Sequence, residues 1–209
     1  MMSETKEKIL DTAQRLIGER GYSATSVRHI VAEAGVNLAA IHYHFGSKEE
    51  LLAAVIARKA GPVNAERLAR LQRFEQEAGA CGPTVRQALE AFLVPMAERA
   101  DREPEFVRLM GRIMAEGLLV TIVQRHFHEI MERFVGALRR ALPDLPDQEF
   151  RWRMHFMFGA MSQTMMFGPR TDVLGMGNDT GDFRGRIDRL VTFLAAGFEA
   201  PATQSGVKQ

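Results

Sequence analysis

Cysteine occurs once in this chain of 209 residues, at Cys81, so no internal disulfide can form, which fits a reducing compartment. Long apolar runs are missing as well. None approaches the roughly 18 residues that a membrane span needs, and the opening Met1-Met2-Ser3-Glu4-Thr5-Lys6 is polar where a secretory signal would be basic and then apolar. A cytoplasmic protein without a membrane partner is therefore expected. An excess of charge is the third absence: 27 Lys and Arg stand against 26 Asp and Glu, a net of +1. That balance neither announces a nucleic-acid partner nor excludes one, because what matters is a local basic face. Catalytic patterns are also lacking. No Ser/His/Asp arrangement, paired-carboxylate motif or cofactor signature emerges, so neither an enzyme nor a cofactor is expected.

What is present is the composition of a globular protein, 46% apolar and 25% charged. The length allows one large domain or two small ones, either able to fold without a disulfide or a structural metal. The soft apolar residues are unevenly spread. Twelve of the thirteen Phe and ten of the twelve Met follow residue 60. Residues 1–60 and 61–200 are therefore expected to form two domains of different chemistry, followed by a disordered tail over 201–209.

Apolar residues recur at helical spacing almost throughout, and no stretch alternates with period two for long enough to be a strand. The expected fold class is all-α, with an N-terminal three-helix domain and a C-terminal helical bundle. Ser3 can cap a first helix whose stripe is Ile9, Leu10, Ala13, Leu16 and Ile17, stopping at Gly21. Thr25 or Ser26 caps a second helix with Val27, Ile30, Val31 and Ala34 on its inner face, ended by Gly35. Asn37 caps a third, over about 38–44, and Ser47 opens a fourth at Lys48 with Glu50 three residues on. Gly61-Pro62 is expected to kink or break this fourth helix, and the charged run 66–77 beyond it reads as an exposed helical stretch. Later helices are expected over 85–100, 104–116, 119–142, 147–167 and 183–199, with a Gly-rich loop over 168–181.

The informative stretch is 26–45. Two short helices are joined by a tight turn containing Gly35, with Ile30, Ala34, Val36 and Ile41 placed to lock the pair at a fixed angle. This is the helix-turn-helix pattern. The second helix would present Asn37, Leu38, Ala39, Ala40, His42, Tyr43 and His44, a small-residue surface able to enter a major groove and flanked by groups that bond phosphates or base edges. Thr25, Ser26, Arg28 and Lys48, with the backbone amides at the helix starts, offer phosphate clamps. A helical hairpin that merely packs well fits the geometry equally. His29, His42 and His44 do not read as a metal site: residues 42 and 44 face about 200° apart on a helix, and no Cys or carboxylate joins them at ligand spacing.

Residues 5–59 resemble the DNA-binding domain of the TetR/AcrR family of bacterial transcriptional regulators. The matching elements are Thr5-Lys6-Glu7-Lys8-Ile9-Leu10-Asp11-Thr12-Ala13, Gly21-Tyr22-Ser23-Ala24-Thr25-Ser26-Val27, Ala34-Gly35-Val36 and His42-Tyr43-His44-Phe45-Gly46-Ser47-Lys48-Glu49-Glu50-Leu51, in order and at matching spacing. The resemblance implies a double-stranded DNA operator as partner, a homodimer, and an all-helical ligand-binding and dimerisation domain after residue 60. Two positions depart from the commonest pattern. Val31 stands where many members have a small residue, and His42 where many have an aromatic, which leaves that aromatic's phosphate contact to Tyr43.

Beyond residue 60, Phe92, Met96, Met110, Met114 and Phe127 fall on helix faces at three- and four-residue steps, which by periodicity alone is any core. The resemblance turns them into candidate residues for binding a small apolar or amphipathic ligand, with His155 or a neighbouring Arg to meet the ligand's polar end. Gly111, Gly117 and Pro95 are expected to leave room for it. Met154, Met157, Phe158, Met161 and Met165 form one further stripe, and Ile187, Leu190, Val191, Leu194 and Phe198 another. Paired with their copies these stripes would build a four-helix dimer interface like the family's. The expected function is a ligand-responsive repressor released from a palindromic operator by a small apolar molecule. A constitutive DNA-binding regulator with a filled core, an activator, and a helical small-molecule-binding protein that no longer binds DNA remain open.

Overall fold

The structure is a computed structural model and describes residues 4–100, 102–118, 127–166 and 182–203. Those residues form nine α-helices and no strand: α1 (Glu4–Arg20), α2 (Val27–Ala34), α3 (Leu38–His44), α4 (Lys48–Ala78), α5 (Val85–Ala100), α6 (Pro104–Ala115), α7 (His128–Ala141), α8 (Asp147–Met166) and α9 (Phe183–Glu199). No helix among them is long and apolar enough to cross a membrane. The expected stripe of α1 is buried, and it packs against α2, α4 and α6. Ser3, its expected cap, lies outside the described residues. In the second half of the chain α5 packs on α4 and α9, α6 on α1 and α8, and α7 on α4 and α5. The buried side chains form one continuous cluster from Ile9 and Leu51 through Phe92 and Phe106 to Leu194 and Phe198.

The fourth helix is not broken at Gly61-Pro62. It runs unbroken for 31 residues with Pro62 inside. Both residues are exposed, so the carbonyl of Arg58, which the proline leaves without a donor, can be hydrated at little cost. The run 66–77 is not simply exposed either, because Arg67 and Leu71 continue the buried stripe of Ala60, Val63 and Asn64 at helical steps. The helix expected over 119–142 is described from His128 onward. Residues 119–126, and the loop expected over 168–181, lie outside the described residues.

The start of the expected disordered tail is held. Arg153 is buried, and its guanidinium donates to the carbonyls of Phe198 at 2.7 Å, Ala200 at 2.9 Å and Pro201 at 3.1 Å. The first of these is a carbonyl that the end of α9 leaves without an intrahelical donor, and the other two follow it in the chain. Thr203 N donates to Glu149 Oε1 at 3.0 Å, so the chain through Thr203 is tied back to α8. Residues 204–209 lie outside the described residues.

Helix spacing is set by two glycines at close approaches. A Cβ on Gly18 of α1 would stand 3.2 Å from Glu105 O of α6, and one on Gly111 of α6 would stand 2.9 Å from Met165 Cβ and 3.1 Å from Met166 N of α8. Gly111 therefore does not open space for a ligand, as its sequence position suggested. It lets α6 and α8 touch, and Ser162 Oγ donates to Gly111 O at 3.0 Å across the contact. Gly→Ala in an open helical position gains about 0.5–1 kcal/mol, whereas overpacking costs about 1–3 kcal/mol. Gly136 of α7 meets only the tip of Arg140, at 3.9 Å. Gly136→Ala is thus expected to raise the melting temperature and Gly111→Ala to lower it. Calorimetry showing the same sign for both would contradict the α6–α8 contact.

Candidate nucleic-acid interface and apolar cavity

Helices α2 and α3 form the helix-turn-helix. Ser26 precedes α2 in extended backbone; its hydroxyl accepts from His29 N at 3.2 Å, and Ser26 N donates to His29 Nδ1 at 3.5 Å. A histidine closes here the reciprocal cap that Glu or Gln usually closes. Gly35 ends α2 at φ +64°, a left-handed conformation that a side chain would strain. Asn37 then opens α3, its Oδ1 accepting from Ala39 N at 3.0 Å. Ile30, Ala34 and Ile41 are buried where the helices pack, with Val36 half-buried beside them.

Because the inner faces are locked, the outer face is determined. Asn37, Leu38, Ala39, His42 and Tyr43 are exposed, Tyr43 to 85%, while Ala40 and His44 are half-buried. Tyr43 leans on His44 with ring centres 5.0 Å apart, and His42 Nδ1 lies 3.1 Å from Gly46 O. Ser26 and Arg28 are exposed at the start of α2.

Two expected phosphate clamps are placed elsewhere. Thr25 is fully buried, and its hydroxyl reaches the carbonyls of Gly21 at 2.8 Å and Leu16 at 3.2 Å, so it serves the α1–α2 turn and not the surface. Lys48 is half-buried and turned inward: Nζ donates to Tyr22 O at 2.6 Å and stands 3.8 Å above the Tyr22 ring centre. Burial lowers the Lys48 pKa. Tyr22 OH in turn donates to Glu49 Oε1 at 2.9 Å, and burial, then this carboxylate, push the phenol up to about 12.

The same turn is gripped from the second half of the chain. Glu116, which caps the end of α6, accepts from Tyr22 N at 3.0 Å, Ser23 N at 3.2 Å and Ser23 Oγ at 3.2 Å. With the approach of α1 to α6 at Gly18, this ties the helix-turn-helix to α6.

Phe92, Met96, Met110, Met114 and Phe127 are brought together around a cavity of about 30 Å³, along with Arg67, Met131, Phe158, Met161 and Met165. His155 is not among them. It is exposed on another face of α8, its ring centre 5.8 Å from that of Trp152 and 6.1 Å from that of Phe156. One α8 surface cannot face both cavity and solvent.

The expected dimer stripes are also misplaced. Met157, Met161, Met165, Ile187, Leu190, Val191, Leu194 and Phe198 are buried within the chain, and Met154 and Phe158 are half-buried against the same core. The continuous apolar stripe of each helix is taken by the internal core. What remains on the surface is Trp152 (52% exposed) and Phe156 (61%) on α8 and Phe193 (71%) on α9. Trp152 and Phe156 stack at 5.8 Å and flank a surface groove of about 420 Å³ with Ala202 and Thr203.

Arg67 and Glu116 are the residues that sequence reasoning missed. Arg67 had a signal, since it lies in step with Ala60, Val63, Asn64 and Leu71. Glu116 had none, because its partners lie over 90 residues away in sequence.

Residues 9–55 match the family described as bacterial regulatory proteins, tetR family, and residues 89–197 match a tetracyclin repressor-like C-terminal domain. An uncharacterized HTH-type transcriptional regulator of Bacillus subtilis (strain 168), YerO, is 43% identical over 51 residues, 24% of this chain and 18% of that protein. The HTH-type transcriptional regulator BetI of Rhizobium meliloti (strain 1021) is 31% identical over 128 residues, 55% of this chain and 63% of BetI. Each match spans less than two thirds of the relative's length. Among solved structures, a TetR family transcription regulator from Marinobacter aquaeolei VT8 has the same fold, with a TM-score of 0.61 at 18% identity over 92% of this chain and 94% of that one. The C-terminal match alone covers more than half of the residues, the N-terminal match coincides with the helix-turn-helix, and the chain belongs to the TetR family of helix-turn-helix transcriptional regulators.

Proposed function

We propose that the protein is a homodimeric repressor that binds a palindromic DNA operator in the cytoplasm and is released from it by a small apolar or amphipathic ligand. The observation that carries this reading is the outer face of α3. Small Ala39 stands between Asn37, His42 and the exposed Tyr43 on a helix whose inner face is locked, the form of a helix that enters a major groove. Two copies would read half-sites roughly 34–36 Å apart, or a multiple of that. Trp152, Phe156 and Phe193 support the dimer, because large exposed aromatic groups on adjoining helices are costly to leave in water.

Ligand response is supported by α6. One side of this helix carries Met110 and Met114 at the cavity, and its end carries Glu116 on the α1–α2 turn. A ligand favouring an arrangement in which α6 moves would shift the population away from the DNA-competent one, and equal affinity for both would do nothing. A second reading, a regulator with no effector, is favoured by the cavity's size, since about 30 Å³ is far below the roughly 300–1,000 Å³ of a ligand pocket. The methionine lining favours the first, because thioether side chains repack readily. Gel shifts on genomic fragments selected by the protein, with and without added metabolite pools, separate the two.

Three outcomes are expected. Arg28→Ala should lower the slope of log affinity against log salt by about one unit, as loss of one phosphate contact does, and Ala39→Glu should abolish binding with the circular dichroism unchanged; an unaltered slope would remove Arg28 from the phosphates. Phe193→Asp should give a folded monomer in sedimentation velocity, whereas Leu194→Asp, at a core position, should unfold the chain. Persistent dimer in the first variant would move the interface elsewhere. Glu116→Ala should speed hydrogen exchange at the Tyr22 and Ser23 amides while α8 and α9 stay protected; a uniform rise would reduce Glu116 to a general stabiliser.

A further inference from the structure

Arg67 is 2% exposed, and burial alone lowers its pKa, to about 10, with no carboxylate opposing the shift. It therefore stays protonated at neutral pH. Its Nε donates to Phe92 O at 2.8 Å and its Nη1 to Asn64 Oδ1 at 3.1 Å, both neutral acceptors, and the guanidinium carbon lies 4.3 Å from the Phe92 ring centre. Those bonds use two of five N–H donors. Arg58, Arg70 and Arg153, by contrast, each face a carboxylate. A buried cation without a counter-ion is among the costlier states of a protein interior. One structural use is visible, because Phe92 O adjoins the Ala91 carbonyl that Pro95 leaves without a donor, yet a neutral donor would serve that stretch of helix without the charge.

The position of Arg67 indicates where a counter-ion would come from. It lines the cavity, and among the described residues it is the one polar side chain that does; the other described residues of the wall are methionine and phenylalanine. Resting on the ligand-response reading above, we infer that the cavity's occupant is a monoanionic amphiphile, a carboxylate on a hydrocarbon body, whose head pairs with Arg67. A planar guanidinium matches a carboxylate in shape. A dianionic phosphate would leave one charge unmatched in an otherwise apolar wall. The body displaces the side chains of Met110 and Met114 on α6, while the head is held on α4, so the two ends of one molecule engage the helix that follows the helix-turn-helix and the helix whose end grips the α1–α2 turn.

Calorimetric titration of the full chain with octanoate, decanoate and dodecanoate, the matching 1-alkanols and decyltrimethylammonium, below micellar concentrations, tests this. The carboxylate should bind at least about tenfold tighter than the alcohol of equal length, consistent with a charged hydrogen bond, and the cation should not compete. In Arg67→Met the two affinities should converge by loss of carboxylate binding alone, and Arg67→Lys should keep the preference. Equal affinity of the wild-type protein for acid and alcohol would overturn the anchor while leaving the ligand-binding cavity standing. Saturable binding of neither series would overturn both. The wild-type comparison decides between these outcomes whether or not the variants fold.

Discussion

The packing of α1 on α6 is the contact on which the rest of the molecule depends. It requires Gly18, since a Cβ there would press on Glu105 O and Leu109 of α6, and it is completed by Glu116, whose carboxylate takes up two amides and a hydroxyl of the α1–α2 turn. The opposite flank of α6 meets α8 just as closely at Gly111. A helix of 12 residues held by backbone contact on both sides has little freedom to deform, so it moves as a rod or not at all. That is the physical basis for linking a cavity in the second half of the chain to a helix-turn-helix in the first.

Around this rod the polar groups divide into two kinds. Thr25, Lys48, Glu116 and the Tyr22–Glu49 pair are turned inward and hold one loop. Arg153 and Glu149 do the same for the end of α9. All but the Tyr22–Glu49 pair, which joins two side chains, bond backbone groups at or beside helix ends. Arg67 belongs to neither group of loop-holding residues, because the acceptors it meets balance its hydrogen bonds but not its charge.

Much of the architecture was legible in the sequence because it is local. Helix ends at Gly35 and Asn37, the caps at Ser26 and Ser47, and the inner stripe of α1 rest on interactions within four residues, which spacing encodes directly. Local signals also misled. Gly61-Pro62 reads as a helix break, but an exposed proline within a helix packed along its other face is tolerated. The stripes of α8 and α9 were identified correctly as apolar and assigned to the wrong partner, because periodicity gives the direction of a face and not what lies opposite it.

By itself, then, the sequence determined the helical periods, the caps, the turn geometry of the helix-turn-helix and the residues on the outer face of α3, all set by short-range hydrogen bonds and by the spacing of apolar groups. Tertiary structure alone decided which polar groups stay on the surface. Thr25 and Lys48 turn inward, His155 turns away from the cavity and Arg67 comes to line it. Each of those outcomes depends on an element distant in sequence competing for the same atoms, and a donor or a face can be claimed only by what folding brings within reach.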